Sequence, residues 1–246
     1  MPLIALDIGT SFIKGAVVDP HRFQLTHIHR VPFPDPLPNL PARHFEVDPY
    51  QIVTAVRGVI SHLIQFAPTC EGIVMCGQMG GLILVNERGE PLSNYISWKD
   101  QRATENHPSG AGTYFEIMEG RLSPAERRQL GNEVRPGLPL SFLSWFAEQN
   151  RSFPSQPMAA ALADFVVANL CETIPQTEPT NAVGALNLET QDWHHDAFSS
   201  LGLPQVRWPV LRDYREPVGH LRINSITLLK VWFLNPEIIN AHLPER

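Results

Sequence analysis

The stretch Ile4-Ala5-Leu6-Asp7-Ile8-Gly9-Thr10-Ser11-Phe12-Ile13-Lys14-Gly15 decides how the chain folds at its start and what it can hold there. Leu3 to Ile8 is a short apolar run that breaks into Gly-Thr-Ser, the pattern of a buried strand entering a tight turn. Phe12 to Val18 is a second apolar run, stopped by Asp19-Pro20. Strands joined this closely pair as an antiparallel hairpin, because a parallel crossover needs about a dozen residues or more. The turn gathers a carboxylate, a glycine, two hydroxyls and, on the returning strand, a lysine. Phosphate cradles need converging N–H groups and small residues that let the anion approach. Gly9 permits the approach, Thr10 and Ser11 add hydroxyl donors, and Lys14 adds positive charge. Asp7 would repel a phosphate directly and makes sense with a Mg²⁺ ion between them, held through water. The other reading is a plain hairpin turn in which Asp and Gly serve turn geometry alone. Both stand open here, since neither G-x-G-x-x-G after the first strand nor G-x-x-x-x-G-K-[ST] occurs.

Around this hairpin the chain reads as a globular sequence. Its 246 residues are 43% hydrophobic and 18% charged, enough apolar material for a sizeable core. The net charge of −6 leaves no electrostatic footprint for nucleic acid or an anionic membrane. No signal peptide is recognisable, and the apolar run Ile226 to Leu234 is interrupted by Lys230 and far short of the ~20 residues of a membrane helix. Cys70, Cys76 and Cys171 have no metal-ligand spacing and read as reduced core thiols, so a cytoplasmic protein is expected.

Further along, Arg30 to Pro41 is proline-dense and reads as an extended surface loop. Asp48-Pro49-Tyr50-Gln51 announces a helix whose apolar stripe is Ile52, Val56, Val59, Ile60 and Leu63, closed by Pro68. Gly72 to Cys76 reads as a buried strand and Leu82 to Val85 as another, with a hairpin turn at Asn86-Glu87-Arg88-Gly89. Ser123-Pro124-Ala125-Glu126 is a capping box. Helices are expected around Phe142 to Phe146 and from Ala159 to Leu170, with extended chain from Thr180 to Leu188. Hairpin, helix, strand and further helices make the fold class α/β or α+β.

Taken in order, these segments resemble the FGGY carbohydrate kinases of the actin-like ATPase superfamily. LDIGTSFIKGAVVD is similar to that superfamily's first phosphate hairpin. Gly77-Gln78-Met79-Gly80-Gly81-Leu82, then Val85 to Leu92, then Ile96-Ser97-Trp98-Lys99-Asp100-Gln101-Arg102 resemble the GQMHG…D-x-x-G-x-x-L…I-x-W-x-D-x-R pattern of xylulokinase-like members. Pro136-Gly137 through Trp145, Ala163-Asp164-Phe165, Thr180 to Gly184, Leu188 to Trp193 and Glu216 to Gly219 follow in the family's order. Any one motif is weak; the ordered set is specific.

The resemblance implies an α/β, RNase H-like (actin-like ATPase) domain, a mixed sheet with a β-hairpin phosphate loop and flanking helices. It implies ATP-dependent phosphorylation of a sugar or polyol hydroxyl, with ATP and Mg²⁺ as cofactors. Asp7 would act on Mg²⁺ through water, and Gly9, Thr10, Ser11 and Lys14 would line the phosphates. Gln78, Met79 and Gly80 would form the sugar-contact turn, with Trp98 and Asp100 a second sugar-side segment. Alternatives remain: Trp98 as core packing, Met79 as core, and Asp100 paired only with Arg102.

Three departures matter. Gly80 stands where xylulokinase-like members carry a His, so a donor is lost and an enlarged pocket is expected. Phe142 stands where the family usually has a Lys. After Arg222 the family's glycine-rich segment with its catalytic Asp does not follow; Gly219 is the last glycine. The expectation is therefore a family domain over 1–222 and a tail over 223–246 unlike the family, from an altered frame or truncation, with a short capping helix as the other view. No catalytic residue is assigned, because the base belongs to the absent segment. A small-molecule sugar or polyol is the expected partner, with neither nucleic acid nor membrane. Alone, the chain is expected to be nearly inactive and to self-associate; the alternatives are a non-catalytic sugar-binding module, or half of a split kinase that meets its C-terminal half as a separate polypeptide.

Overall fold

The computed structural model describes residues 2–151, 156–203, 205–213, 215–223 and 227–233. Leu3–Ile8 (β1) and Phe12–Asp19 (β2) form the antiparallel hairpin, with Asp7 opposite Lys14 and Ile8 opposite Ile13. Gln24–Pro32 (β3) adds to β2 at the sheet edge. This strand is absent from the sequence reading, because an edge strand with mostly exposed side chains carries no burial period. Of the loop expected over Arg30 to Pro41, residues 30–32 instead belong to β3, and residues 33–41 lie outside helix and strand.

Glu46–Val47 (β4) leads into Pro49–Leu63 (α1), where the Asp48 side chain caps the helix by accepting from Tyr50 N at 2.8 Å. The expected apolar stripe of α1 is buried throughout, and the helix ends at Leu63, ahead of Pro68. Gly72–Gly77 (β5) lies parallel to β1 and is buried from Gly72 to Met75, as a strand inside a sheet should be. Ile83–Val85 (β6) precedes the Asn86 turn, in which the Asn86 side-chain oxygen accepts from Arg88 N and Glu90 N. Tyr95–Ile96 (β7) pairs with β4.

Tyr114–Arg121 (α2) and Pro124–Gln129 (α3) both begin with reciprocal capping boxes, Thr113/Glu116 and Ser123/Glu126; the sequence reading named only the second. Pro139–Glu148 (α4) carries Phe142 and Trp145. The single helix expected over Ala159 to Leu170 is instead the strand Met158–Ala160 (β8), paired with β6, followed by Leu162–Cys171 (α5). Thr180 to Leu188 is not one extended run: a short 3₁₀ turn at Pro179–Ala182 comes first. Short pairs follow: Gln176–Thr177 (β9) with Val210–Leu211 (β12), and Leu186–Asn187 (β10) with Asp192–Trp193 (β11).

Gly219–Ile223 (β13) and Thr227–Phe233 (β14) complete a six-stranded mixed sheet in the order β13-β14-β5-β1-β2-β3. The boundary expected at residue 222 falls within this last hairpin. Thr227–Phe233, downstream of it, runs parallel to β5 with Leu229, Val231 and Phe233 buried in the main core. That alternation is what binds the segment to the sheet. Residues 224–226 and 234–246 of the expected tail lie outside the described residues.

Helices α1 and α5 cover one face of the sheet, burying Ile4, Leu6 and Ile8 of β1 against Val59 and Leu63 of α1 and Phe165 of α5. A second core, around Phe142, Leu143, Phe146 and Phe198, supports the segments that follow β5. No helix among the described residues is long and apolar enough to cross a membrane.

Candidate functional site

The C-terminal ends of β1 and β5 lie side by side, so the turns that leave them meet. The hairpin turn closes with Gly9 N donating to Phe12 O at 3.1 Å, and Gln78 N donates to Ile8 O at 3.0 Å. A side chain at Gly9 would stand 3.0 Å from Phe12 O and 3.6 Å from Asp7 Oδ2, so glycine keeps the space beside the Asp7 carboxylate open. Lys14 Nζ stands 3.5 Å from Asp7 Oδ2, with both side chains about half exposed. A pair this exposed holds its partners loosely, and Lys14 is free to swing to another anion.

Cys76, read from sequence as a core thiol, also belongs here. It stands opposite Asp7 in the β1/β5 register, and its Sγ donates toward Asp7 Oδ1 at 3.8 Å and Leu6 O at 3.6 Å. Burial, with the Asp7 charge next in size, pushes its thiol up to about 11, so it stays a protonated donor at neutral pH. Only the strand register could have revealed it.

Two hydrogen bonds tie the turns together. Trp98 Nε1 donates to Thr10 Oγ1 at 3.2 Å, and Thr10 Oγ1 donates to Gln78 Oε1 at 3.2 Å. Gln78 Nε2 is buried without a hydrogen-bond partner. Trp98 is 43% exposed and Met79 58% exposed, so neither is core. Ser11 is exposed beside Thr10. Asp7, Gly9, Thr10, Ser11, Lys14, Gln78, Met79 and Trp98 therefore share one surface.

Gly80 and Asp100 do not present side chains to it. Gly80 is buried at φ +78°, and a Cβ there would lie 3.0 Å from Gly137 O, 3.1 Å from Trp98 Cβ and 3.3 Å from Leu138 Cδ2. At the Cβ position the Gly137 backbone and the side chains of Trp98 and Leu138 leave little room for a side chain. Asp100 is fully buried, and both of its oxygens are engaged. Oδ1 accepts from Arg102 N and Nε at 2.9 Å each, and Oδ2 accepts from Arg102 Nη2 at 2.8 Å and Phe45 N at 2.6 Å. This is the pairing alternative left open by the sequence, and it removes Asp100 from direct sugar contact.

Glu46, which the sequence did not single out, completes the arrangement through Arg102 Nη2 at 2.5 Å and Asn94 Nδ2 at 2.7 Å. Burial opposes the Arg102 charge, and Asp100 followed by Glu46 more than offsets it, so the guanidinium is held above its ordinary value. The rings of Phe142, Trp145 and Phe146 surround that guanidinium, 5.2 to 6.0 Å from its Cζ. Phe142 thus lines a cation, and a lysine in its place would set a second positive charge against Arg102. The consequence is mechanical: Asp100 and Arg102 fix the loop that carries Trp98.

Asp164, in the first turn of α5, is buried. It accepts from Thr177 Oγ1, from Ala161 N at 3.2 Å and from Asn181 Nδ2 at 3.4 Å. Burial raises its carboxyl to about 7, against the opposing pull of the Thr177 hydrogen bond.

The model of the FGGY family of carbohydrate kinases, N-terminal domain, matches residues 2–237 of this chain. The chain belongs to this family. It is 25% identical to a xylulose kinase of Klebsiella pneumoniae over 250 residues, covering 96% of this chain and 47% of that protein. It is 22% identical to a gluconokinase of Bacillus subtilis over 205 residues, covering 82% of this chain and 38% of that one. The fold matches a solved xylulose kinase of Rhodospirillum rubrum with a TM-score of 0.78 at 19% identity, over 95% of this chain and 49% of that chain. This FGGY chain thus spans about half the length, or less, of these relatives, and the RNase H-like, actin-like fold implied by the resemblance is the fold it has. Among the described residues no cluster of three or more His, Cys, Asp or Glu side chains could hold a metal by itself.

Proposed function

We propose that this chain is the sugar-side half of an ATP-dependent carbohydrate kinase, cytoplasmic, carrying the first phosphate hairpin and most of the sugar contacts. The observation that carries this reading is the junction of the two turns: Thr10 of the hairpin is hydrogen-bonded to both Gln78 and Trp98 of the sugar side. A phosphoryl donor over Gly9 and a hydroxyl acceptor beside Trp98 would then face each other across one short gap, the positioning on which phosphoryl transfer depends.

Gly9, Thr10, Ser11 and Lys14 are the groups that would line the phosphates of ATP. Asp7 fits a Mg²⁺ ion held through water, because its carboxylate is half exposed and Gly9 leaves the space beside it clear. Bound Mg²⁺ supplies neutralisation of the phosphate charge. Trp98 offers an apolar face to the C–H side of a sugar, and exposed Met79 follows Gln78 in the sugar-side turn. The substrate class is a sugar or polyol; the relatives named above include a xylulose kinase and a gluconokinase, so D-xylulose and D-gluconate are the first compounds to try. The adenosine site and the catalytic base are assigned to a C-terminal half outside these residues.

The test is calorimetry of the purified chain with D-xylulose, D-gluconate and glycerol, beside an ADP-release assay. Sugar-dependent heat with ADP release at the blank rate is expected. Robust sugar-dependent ADP release would overturn the assignment of the base to another segment. No heat with any of the three would overturn the sugar-side reading. Sedimentation of the same sample checks the expected self-association, which a monomer at high concentration would refute.

A further inference from the structure

The Thr10 hydroxyl has one proton and two lone pairs, and its neighbours make competing demands on it. The Trp98 indole can only donate, so it occupies a lone pair of Thr10 Oγ1. The single proton of Thr10 then goes to Gln78 Oε1, and that orientation leaves Gln78 Nε2 buried with no acceptor. Buried unmet donors are rare in native proteins, and each calls for a specific explanation.

We propose that Thr10 is a positioning residue that links phosphate binding at the hairpin to the sugar-side turn by switching the Gln78 amide. This rests on the kinase reading above. An anionic oxygen at the Gly9-Thr10-Ser11 turn takes the Thr10 proton. The Gln78 amide then rotates by half a turn, so that Nε2 donates to Thr10 Oγ1 and its orphaned state ends. Thr10 Oγ1 now accepts from both Trp98 and Gln78 while donating to the anion, and the Gln78 atom left in the buried position is the acceptor Oε1 in place of the donor Nε2. The rotation exchanges two atoms of nearly equal size, so no repacking is needed, but it places an acceptor where a donor stood. The buried position within the sugar-side turn therefore changes from donor to acceptor when phosphate is bound, and that change is what links the turn to the hairpin. By linkage, each ligand changes the affinity of the other by the same factor.

The experiment uses the full chain, with magnesium pyrophosphate as the phosphate probe and D-xylulose and D-gluconate as sugar probes. Side-chain amide and indole N–H resonances are followed by NMR in the parent, Thr10→Val, Thr10→Ser and Gln78→Glu. In the parent, pyrophosphate should shift the Gln78 Nε2 pair and the Trp98 Nε1–H together. Thr10→Val should weaken pyrophosphate about tenfold, the size of one hydrogen bond, and abolish the Gln78 shift, while Thr10→Ser retains both. Gln78→Glu accepts from Thr10 but has no N–H to return, and should weaken pyrophosphate as well. Sugar affinity in the parent should change several-fold with saturating pyrophosphate, and this dependence should vanish in Thr10→Val.

Three results would overturn the switch: a parent that does not bind pyrophosphate, a Gln78 amide unmoved when it does, or equal sugar coupling in Thr10→Val. Failure of the kinase reading is separate. A parent that binds neither sugar but shows the pyrophosphate-driven Gln78 shift upholds the switch and removes the sugar assignment.

Discussion

Replacing Asp100 by alanine separates a ligand group from a structural one. The carboxylate is fully buried and accepts four hydrogen bonds, three of them from Arg102, itself 1% exposed. Removing it leaves the guanidinium with Glu46 as its remaining acidic partner and Phe45 N without an acceptor. Breaking one partner of a buried ion pair costs about 3–5 kcal/mol. For a domain of this size each kcal/mol lowers Tm by about 2–4 °C, so a fall of about 6–20 °C is expected. Circular dichroism melts read the stability, and calorimetry with D-xylulose at a temperature where the variant is folded reads the site. Asp100→Ala combined with Arg102→Met should recover part of the loss, because no buried charge is then left facing a missing carboxylate. A Tm within about 2 °C of the parent together with lost sugar binding would refute the argument. Asp100 would then be the sugar contact that its motif suggested.

Gly80→His restores the family's side chain at a left-handed position whose Cβ would sit 3.0 Å from Gly137 O. It should lower stability by about 1–3 kcal/mol in urea unfolding, and an unchanged midpoint would show that the turn relaxes freely. Asp164→Asn tests the buried carboxyl. Its folded value lies near 7 against an ordinary 3.8, so the native state keeps a proton that the unfolded chain has already released. That contribution is complete below about pH 4 and is lost as pH rises through 7, on the order of 4 kcal/mol at most. The parent's Tm should decline across that window while the Asn variant stays flat; parallel profiles would assign the decline to other groups. Deleting residues 227–246 removes β14 and bares Ile73 and Met75 of β5, so the shortened chain should be insoluble. Recovery of a soluble product with the parent's circular dichroism spectrum would show that the strand is dispensable.

What the sequence revealed and what it hid divide along a physical line. The β1–β2 hairpin, α1 with its Asp48 cap and the Ser123/Glu126 box are set by neighbours in the chain, so pattern and propensity located them. The edge strand β3 has no burial period to read, and β8 is three buried residues running straight into α5, so the two fused into one apparent helix. The site shows the same divide. The family pattern named Asp7, Thr10, Gln78 and Trp98, but only the register of β1 against β5 places Cys76 beside Asp7. Only the folded loop reveals that Glu46, 56 residues before Arg102 in the chain, closes the ion-pair cluster around Asp100. The surroundings of Gly80 are hidden for a related reason: only the fold shows that Gly137, Trp98 and Leu138 crowd the place a side chain would enter.

The parallel pairing of β14 with β5 sets the order in which the chain can become a protein. Lys230 pairs with Gly72, and until residues near it have been synthesised β5 has one edge unpaired while β1 already occupies the other. The hairpin that carries Asp7 and Lys14 closes from local contacts early, but the strand supporting Gln78 waits for a partner more than 150 residues downstream. Non-local parallel pairings are slow to form, and an open apolar edge invites foreign strands in the meantime. On the ribosome, a nascent chain of this kind passes the whole interval between β5 and β14 with its phosphate hairpin finished and its central sheet open on one side. Slower elongation over that interval, or scarcity of a holdase, would reduce yield without altering a single contact of the finished fold.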